Sequence, residues 1–439
     1  MTNPIVAIVG RPNVGKSTLF NQLVGQRISI VDDQPGVTRD RIYADTEWLG
    51  RKITLVDTGG IDVESQDELM VQMKQQANVA IETSEAVIFL VDGKEGITPA
   101  DQEVANLLRI ANKPVILGVN KIDAPHEEDM IYEFYNLGIG DPISISASHK
   151  RGLGDLLDAV IEHLPQHEMQ EEEDDVIKIA VLGKPNVGKS SIVNKLLGEE
   201  RVIVSNIPGT TRDAIDTPFE VDGQKYIIID TAGIRRKSRI NEELERYSVI
   251  RALAAIRRCD VALLVIDATE GVTEQDARIA GLIHDEGKGC IVIMNKWDLV
   301  EKDTNTMNQY RKQLMNDLAF MQYAPSLFTS AHTGQRLNRI IEMVNEVYVH
   351  CTFRISTGVL NDCIADAVTF TEPPTDKGRR LKIYYGTQVA VKPPTFVLFV
   401  NDPDLMHYSY LRYLENQFRK SFGLEGTPIR FILRERKSN

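Results

Sequence analysis

The sequence predicts an α/β protein: two doubly wound domains with mixed sheets, followed by a small α+β domain. Three observations carry this. A nine-residue stretch occurs twice, as GRPNVGKST at 10–18 and as GKPNVGKSS at 183–191, each time after an apolar run (5–9 and 177–182) and before a helical pattern. Within each copy apolar strands then alternate with helical patterns, for example 86–92, a helix opening at Thr98 and Pro99, and 114–120. That alternation implies a largely parallel sheet with ligand loops at the strand C-terminal ends. Beyond about residue 350 it gives way to helix (360–367), strand (381–385), strand (395–400), helix (408–422) and strand (428–433).

The repeat extends well past the nine residues. Gly10, Lys16, Thr38 and Asp57 recur 173 positions later as Gly183, Lys189, Thr211 and Asp230; the offset is 175 at Asp92/Asp267 and Asn120/Asn295, and 184 at Ser146/Ser330. A duplicated domain with insertions between its motifs explains these steps. The second copy carries an Asp-Gly turn between alternating strands over 219–230. A hairpin there adds one antiparallel edge to the sheet.

The domain boundaries follow from composition: a first domain at 1–164, an acidic linker at 165–175 with five consecutive acids at its end, a second domain at 176–350 and a third at 351–439. The linker cannot bury a core and reads as a solvated coil. The net charge is −13 overall, yet residues 351–439 hold 13 Lys/Arg against 9 Asp/Glu, a local net of +4. A basic module on an acidic chain points to a phosphate-rich partner. No stretch of 18 consecutive apolar residues occurs, and the first strand begins almost at once, so a cytoplasmic protein without a membrane or DNA partner is expected. Cys259, Cys290, Cys351 and Cys363 lack CxxC spacing and read as reduced core residues.

The duplicated stretch is a phosphate-binding loop. Gly10 and Gly15 let backbone N–H groups turn inward around a phosphate, Lys16 supplies a point charge, and Ser17 reaches Mg²⁺. Arg11, Pro12, Asn13, Val14 and Thr18 complete the first loop, and Gly183, Lys184, Pro185, Asn186, Val187, Gly188, Lys189, Ser190 and Ser191 form the second.

A second motif selects the base. Asn120-Lys121-Ile122-Asp123 and Asn295-Lys296-Trp297-Asp298 each follow an apolar strand, and Ser146-Ala147 and Ser330-Ala331 end the next one. The carboxylate of Asp123 or Asp298 accepts from guanine N1–H and N2–H₂, whereas adenine presents an acceptor at N1 and leaves the aspartate unpaired. A site built on such bonds rejects the wrong base by ~10⁴ or more. Asn120 and Asn295 are expected to brace the loop, and the N–H of Ala147 or Ala331 to meet guanine O6.

Between these lie Asp57-Thr58-Gly59-Gly60 and Asp230-Thr231-Ala232-Gly233, each followed by an isoleucine, Ile61 or Ile234. The aspartate can hold Mg²⁺ and the last glycine N–H can meet a γ-phosphate. Thr38 and Thr211 lie on upstream loops reading PGVTRD and PGTTRD, and complete the Mg²⁺ shell only when γ-phosphate is present, which makes a switch. The candidate catalytic residues are therefore Lys16, Thr38 and Gly60, with Lys189, Thr211 and Gly233. The candidate Mg²⁺ ligands are Ser17, Thr38, Asp57, Ser190, Thr211 and Asp230. After this motif the first copy is acidic (61–68) and the second basic (234–239), as if each faced a different surface.

These motifs in this order resemble the translation-factor class of GTPases, and two such domains before a small basic one resemble the Der (EngA) GTPases of bacteria over essentially the whole chain. The resemblance implies GTP hydrolysis with GTP/GDP and Mg²⁺, a KH-like third domain, and a role in assembly of the large ribosomal subunit, with that subunit and its rRNA as partners of a monomer. The alternative is a signalling GTPase that binds a single protein. Ile61 and Ile234 stand where Ras-type GTPases carry a water-orienting glutamine, so slow intrinsic hydrolysis is expected. Relatives with an apolar residue there use K⁺ held partly by the loop asparagine, here Asn13 and Asn186; Arg39 and Arg212 are rival sources of the same positive charge. Gly423-Leu-Glu-Gly426 has the GxxG spacing of nucleic-acid-binding KH domains. It follows a helix and carries an acid, so it reads as a helix C-cap and turn.

Overall fold

The computed structural model describes residues 3–25, 43–57, 66–111, 113–164, 176–198, 202–204, 216–230, 244–303, 305–376 and 379–436. The linker at 165–175, both upstream threonine loops and both segments that follow Asp57 and Asp230 lie outside them.

The first domain is a six-stranded sheet in the order β2-β3-β1-β4-β5-β6. Its strands are β1 (Ile5–Val9), β2 (Tyr43–Trp48), β3 (Arg51–Asp57), β4 (Ala86–Asp92), β5 (Val115–Asn120) and β6 (Ile143–Ser144). All neighbours are parallel except β2 with β3. Alternate side chains along β1 serve two cores. Val6 and Ile8 join Leu19 and Leu23 of α1 (Lys16–Gly25), while Ala7 and Val9 join Ala77 and Ala80 of α2 (Gln66–Thr83). Helix α3 (Pro99–Ile110) lies with α2 on the second face, and α4 (Leu153–His163) with α1 on the first. Helices on both faces bury both sides of the central strands, which is why Ala86–Asp92 is an unbroken buried run. Helix α3 starts at the expected place, with Thr98 as N-cap and Asp101 closing a capping box.

The second sheet has seven strands in the order β13-β12-β11-β7-β10-β9-β8. They are β7 (Val176–Leu182), β8 (Val202–Val204), β9 (Thr217–Val221), β10 (Gln224–Ile229), β11 (Val261–Asp267), β12 (Gly289–Asn295) and β13 (Ser326–Phe328). The Asp-Gly hairpin is β9–β10, with Asp222 at φ 51° and Gly223 at φ 85°, the doubly left-handed turn this dipeptide favours. The antiparallel edge is one strand wider than the sequence suggested, because β8 pairs antiparallel with β9. Three residues leave no readable periodicity. The helices here are α5 (Lys189–Leu197), α6 (Leu244–Arg258), α7 (Glu274–Asp285), α8 (Thr306–Asp317) and α9 (Arg339–Thr352).

The third domain adds a two-residue ribbon, β14 (Thr375–Asp376) with β15 (Arg379–Arg380), and a sheet of β16 (Ile383–Ala390), β17 (Thr395–Val400) and β18 (Arg430–Glu435). Helices α10 (Thr357–Phe370) and α11 (Tyr408–Phe422) supply Leu360, Ile364, Leu414 and Phe418 to a core with Phe396, Leu398 and Val400. Apart from the ribbon, whose two-residue strands carry no readable period, the element order is the one read from the sequence.

Two compact units result: the first domain together with the beginning of α6, and the second domain together with the third. In the first, Ile250 of α6 joins Ile5, Val56 and Val79, and Arg251 pairs with Glu82 at 2.6 Å. In the second, the 423–426 turn is where the third domain joins the second. Gly423 caps α11 with a left-handed backbone (φ 66°), as expected of a C-cap. Gly426 donates to Tyr323 O and accepts from Cys290 N–H, both at 2.8 Å. A Cβ on Gly426 would lie 2.3 Å from Val347. The GxxG glycine is thus committed to a domain seam rather than to a nucleic-acid backbone.

Cys259, Cys290 and Cys351 are buried and unpaired, and burial pushes the Cys259 thiol up to about 12 and the Cys351 thiol up to about 11. Among the described residues no helix is long and apolar enough to cross a membrane.

Candidate functional site

Each phosphate loop links the end of a central strand, β1 or β7, to the first turn of a helix, α1 or α5. Lys16 folds back under its loop, where Nζ donates to Gly10 O at 2.7 Å and to Arg11 O at 2.8 Å. Lys189 repeats this with Gly183 O and Lys184 O, both at 2.7 Å. Burial pushes the Lys16 ammonium down to about 8, with Asp57 opposing the shift and Arg11 adding to it. Burial likewise pushes Lys189 down to about 8, with Asp276 opposing.

This sets a pH dependence. A bound phosphate favours the protonated lysine, so below about 8 the charge is already present, and above it nucleotide binding must take up a proton. GDP affinity is therefore expected to fall about tenfold at each site between pH 7 and pH 9. Titration calorimetry at pH 7, 8 and 9 checks this, and a flat profile contradicts it.

Ser17 Oγ donates to Asp57 Oδ2 at 2.8 Å, so the loop hydroxyl and the carboxylate at the end of β3 face one point. Two hard oxygen donors beside a phosphate loop fit Mg²⁺. In the second copy Asp230 follows β10 directly in a left-handed conformation (φ 56°), and its N–H donates to Asp216 Oδ1 at 3.0 Å.

The asparagine of the base motif ties three segments together. Asn120 Nδ2 donates to Val14 O at 2.7 Å and its Oδ1 accepts from Ala147 N–H at 2.9 Å. Asn295 does the same with Val187 O (2.8 Å) and Ala331 N–H (3.0 Å). The loops pack so closely that a Cβ on Gly15 would stand 2.3 Å from Asn120 Nδ2, and one on Gly188 2.2 Å from Asn295 Nδ2. Sequence reasoning gave the Ala147 and Ala331 N–H groups to guanine O6. Both already donate to an asparagine, so they reach O6 only as shared donors.

Asp123 is held by its surroundings. Its Oδ2 accepts from Lys94 Nζ at 2.5 Å, and its Oδ1 accepts from Ser146 Oγ at 2.7 Å with His149 Nδ1 at 3.2 Å. Lys94 first, then Ser146, hold the carboxyl down at about 2. At Asp298 the Ser330 hydroxyl is the main cause of a shift in the same direction. In the second copy an open cavity of about 690 Å³ is lined by Gly188, Asn295, Lys296, Asp298, Ala331 and His332, so phosphate loop and base motif share one space.

Comparison with known proteins agrees with this geometry. The family described as "50S ribosome-binding GTPase" matches residues 5–121 and again 178–296. The family described as "KH-domain-like of EngA bacterial GTPase enzymes, C-terminal" matches residues 354–434. The chain is 61% identical to GTPase Der of Ruminiclostridium cellulolyticum over 438 residues, covering 100% of this chain and 99% of that one. It is 59% identical to GTPase Der of Alkaliphilus oremlandii over 436 residues, 99% of each chain. The chain belongs to the Der (EngA) family of GTPases. As a Der-family GTPase it hydrolyses GTP, and its third domain is KH-like.

Some residues of this Der-family site lie outside the described segments: Thr38, Arg39, Thr58, Gly59, Gly60 and Ile61, with Thr211, Arg212, Thr231, Ala232, Gly233 and Ile234. Asn13 and Asn186 are described; both are exposed loop residues with φ 64°. Pro12, Thr18, Pro185 and Ser191 lie on or beside the loops, while Ile122 and Trp297 are buried beneath the base motif, with the Trp297 ring 4.5 Å from that of Phe328.

Other functional residues were missed by the sequence reading. Asp92 and Asp267 served there only as markers of the repeat. In the structure each is buried and pairs with the lysine of the base motif, Lys121 or Lys296, at 2.6 Å. Burial pushes both carboxyls up, but the lysines and the N–H groups after each aspartate outweigh it and leave them below the usual range. Arg11 pairs with Glu95 at 2.6 Å, and Lys184 with Glu270, tying each phosphate loop to the segment before α3 or α7. The signal was the shared offset of 175: Asp92, Glu95 and Asn120 move together to Asp267, Glu270 and Asn295.

Proposed function

We propose that this chain uses two guanine-nucleotide sites to control its action on the large ribosomal subunit during assembly, in the cytoplasm and as a monomer. The observation that carries the reading is the duplicated brace from Asn120 or Asn295 to both phosphate loop and serine-alanine turn. Two intact base sites argue for selection of guanine twice over, and the basic third domain supplies a surface for rRNA phosphates. The domain limits follow the sequence reading at 164 and 175. For the third domain we keep the limit at 351, beside the end of α9 at Thr352.

In this mechanism Lys16 and Lys189 carry the charge that meets the phosphates, and the loop N–H groups orient them. Asp123 and Asp298 read the guanine edge through two accepted hydrogen bonds. Asn120 and Asn295 hold that edge in fixed register with the phosphate loop, and Lys121 and Lys296 are oriented by Asp92 and Asp267. Ser17, Thr38 and Asp57, and Ser190, Thr211 and Asp230, would hold Mg²⁺, which when bound offsets charge on the phosphate oxygens. Gly60 and Gly233 would meet the γ-phosphate, and Thr38 and Thr211 would report its presence by ordering their loops.

Asn13 and Asn186 would help hold K⁺, whose charge would take the place of an arginine finger. Replacing K⁺ by Na⁺ is then expected to lower GTP turnover about tenfold. Asn186→Ala, measured in the full chain with the first site silenced by Lys16→Ala, is expected to abolish the difference. Equal turnover in both salts would favour Arg39 and Arg212 instead. The wider reading is tested by cosedimentation of the chain with purified large subunits in the presence of GDP or a non-hydrolysable GTP analogue. Nucleotide-dependent pelleting supports it; no pelleting with either nucleotide, with capture of a single protein instead, would favour a signalling switch.

A further inference from the structure

The two base sites are not equivalent. Lys94 stands at the turn after β4, 29 residues before Asp123, and its ammonium contacts Asp123 Oδ2 at 2.5 Å. Its counterpart at the offset of 175 is Thr269, which turns instead to Asp267, donating through N–H and Oγ1 to Oδ1 at 3.0 and 2.7 Å. Likewise His149, 3.2 Å from Asp123, is replaced by Thr333, whose N–H donates to Ser330 Oγ. Among the described residues no lysine or arginine is ion-paired with Asp298; His332 and Lys302 act on it only at longer range. The first copy therefore places a cation on the carboxylate that reads the base, and among the described residues the second does not.

We infer that Lys94 sets base selectivity at the first site by competing with the guanine 2-amino group for Asp123. The inference rests on the reading of Asp123 as the guanine anchor. An ionised carboxylate only accepts hydrogen bonds, and guanine brings it two donors, N1–H and N2–H₂. At Asp298 these meet a carboxylate that, among the described side chains, is hydrogen-bonded by Ser330 alone. At Asp123 they meet one whose second oxygen already accepts from an ammonium that must be displaced or share. The Lys94 side chain is 48% exposed, so its displacement weakens GDP only modestly, about threefold.

The sharper consequence concerns a base without the 2-amino group. Hypoxanthine keeps N1–H but brings nothing to the second oxygen. At Asp298 that oxygen faces the base with no donor among the described side chains, whereas at Asp123 Lys94 stays in place and satisfies it. The first site therefore discriminates less against inosine nucleotides, by about threefold in the ratio of IDP to GDP dissociation constants. A lysine that merely solvates the surface leaves this ratio alone.

The test uses the full chain with Lys189→Ala to silence the second site, titrated calorimetrically with GDP and IDP. Lys94→Thr is expected to tighten GDP about threefold and raise the IDP/GDP ratio about threefold. Thr269→Lys on a Lys16→Ala background is expected to do the reverse at the second site. An unchanged ratio in both variants overturns the inference, even if GDP affinity shifts, because a shift common to both bases is general electrostatics. Asp123→Asn separates the two readings. If it changes base preference while Lys94→Thr does not, only the role of Lys94 fails; if Asp123→Asn leaves base preference intact, the anchor assignment fails and the inference with it.

Discussion

Asp298→Asn is expected to weaken GTP at the second site about 100-fold and to make that site prefer xanthosine nucleotides. Both effects follow from one exchange of acceptor for donor. Asp298 presents two oxygens, one engaged by the Ser330 hydroxyl. An asparagine keeps an oxygen for Ser330 but points an amide N–H₂ at the base. Against guanine, donor meets donor at the 2-amino group; against xanthine, the amide donates to the 2-oxo group. The asparagine brace to Val187 O and Ala331 N–H does not involve this side chain, so the phosphate loop keeps its shape and the loss is confined to base reading. Competition of GTP and XTP for the full chain carrying Lys16→Ala measures it. Unchanged preference for GTP would remove Asp298 from the base site.

Gly188→Ala is expected to lower nucleotide affinity at the second site on the order of 100-fold for every base alike. Two constraints meet at this glycine. Its φ of 102° is a region that L side chains rarely adopt, and the added Cβ would stand 2.2 Å from Asn295 Nδ2. Relief must come from the phosphate loop or from the asparagine, and either movement breaks the bond from Nδ2 to Val187 O. A displacement of about 1 Å in a positioned group suffices for a loss of this size. The pattern across bases distinguishes this variant from Asp298→Asn: GDP and XDP should weaken together. Selective loss of guanine would show that the brace and the base reader are not separate devices.

Sequence and structure agree where a feature is local and chemically dictated. The phosphate loops, the Thr98 start of α3, the Asp222-Gly223 turn and the Gly423 cap were legible because each needs particular residues at short spacing. So was the brace made by Asn120 and Asn295, which head a contiguous four-residue motif. What was not legible depends on long-range contacts. The Lys94–Asp123 pair joins two loops that meet only because β4 and β5 are neighbours in the sheet. The seam from Gly426 to Cys290 and Tyr323 is made by backbone groups, which any residue possesses. The engagement of Ala147 N–H by Asn120 Oδ1 was missed for the same reason. Strand β8 is too short, at three residues, to carry a period of two.

Calorimetric titration of the full chain with GDP counts the nucleotide sites directly. Two built guanine sites predict two nucleotides bound per chain, one after Lys16→Ala, one after Lys189→Ala, and none after both. A single nucleotide per chain in the unaltered protein, or loss of both sites on changing either lysine alone, would contradict the account.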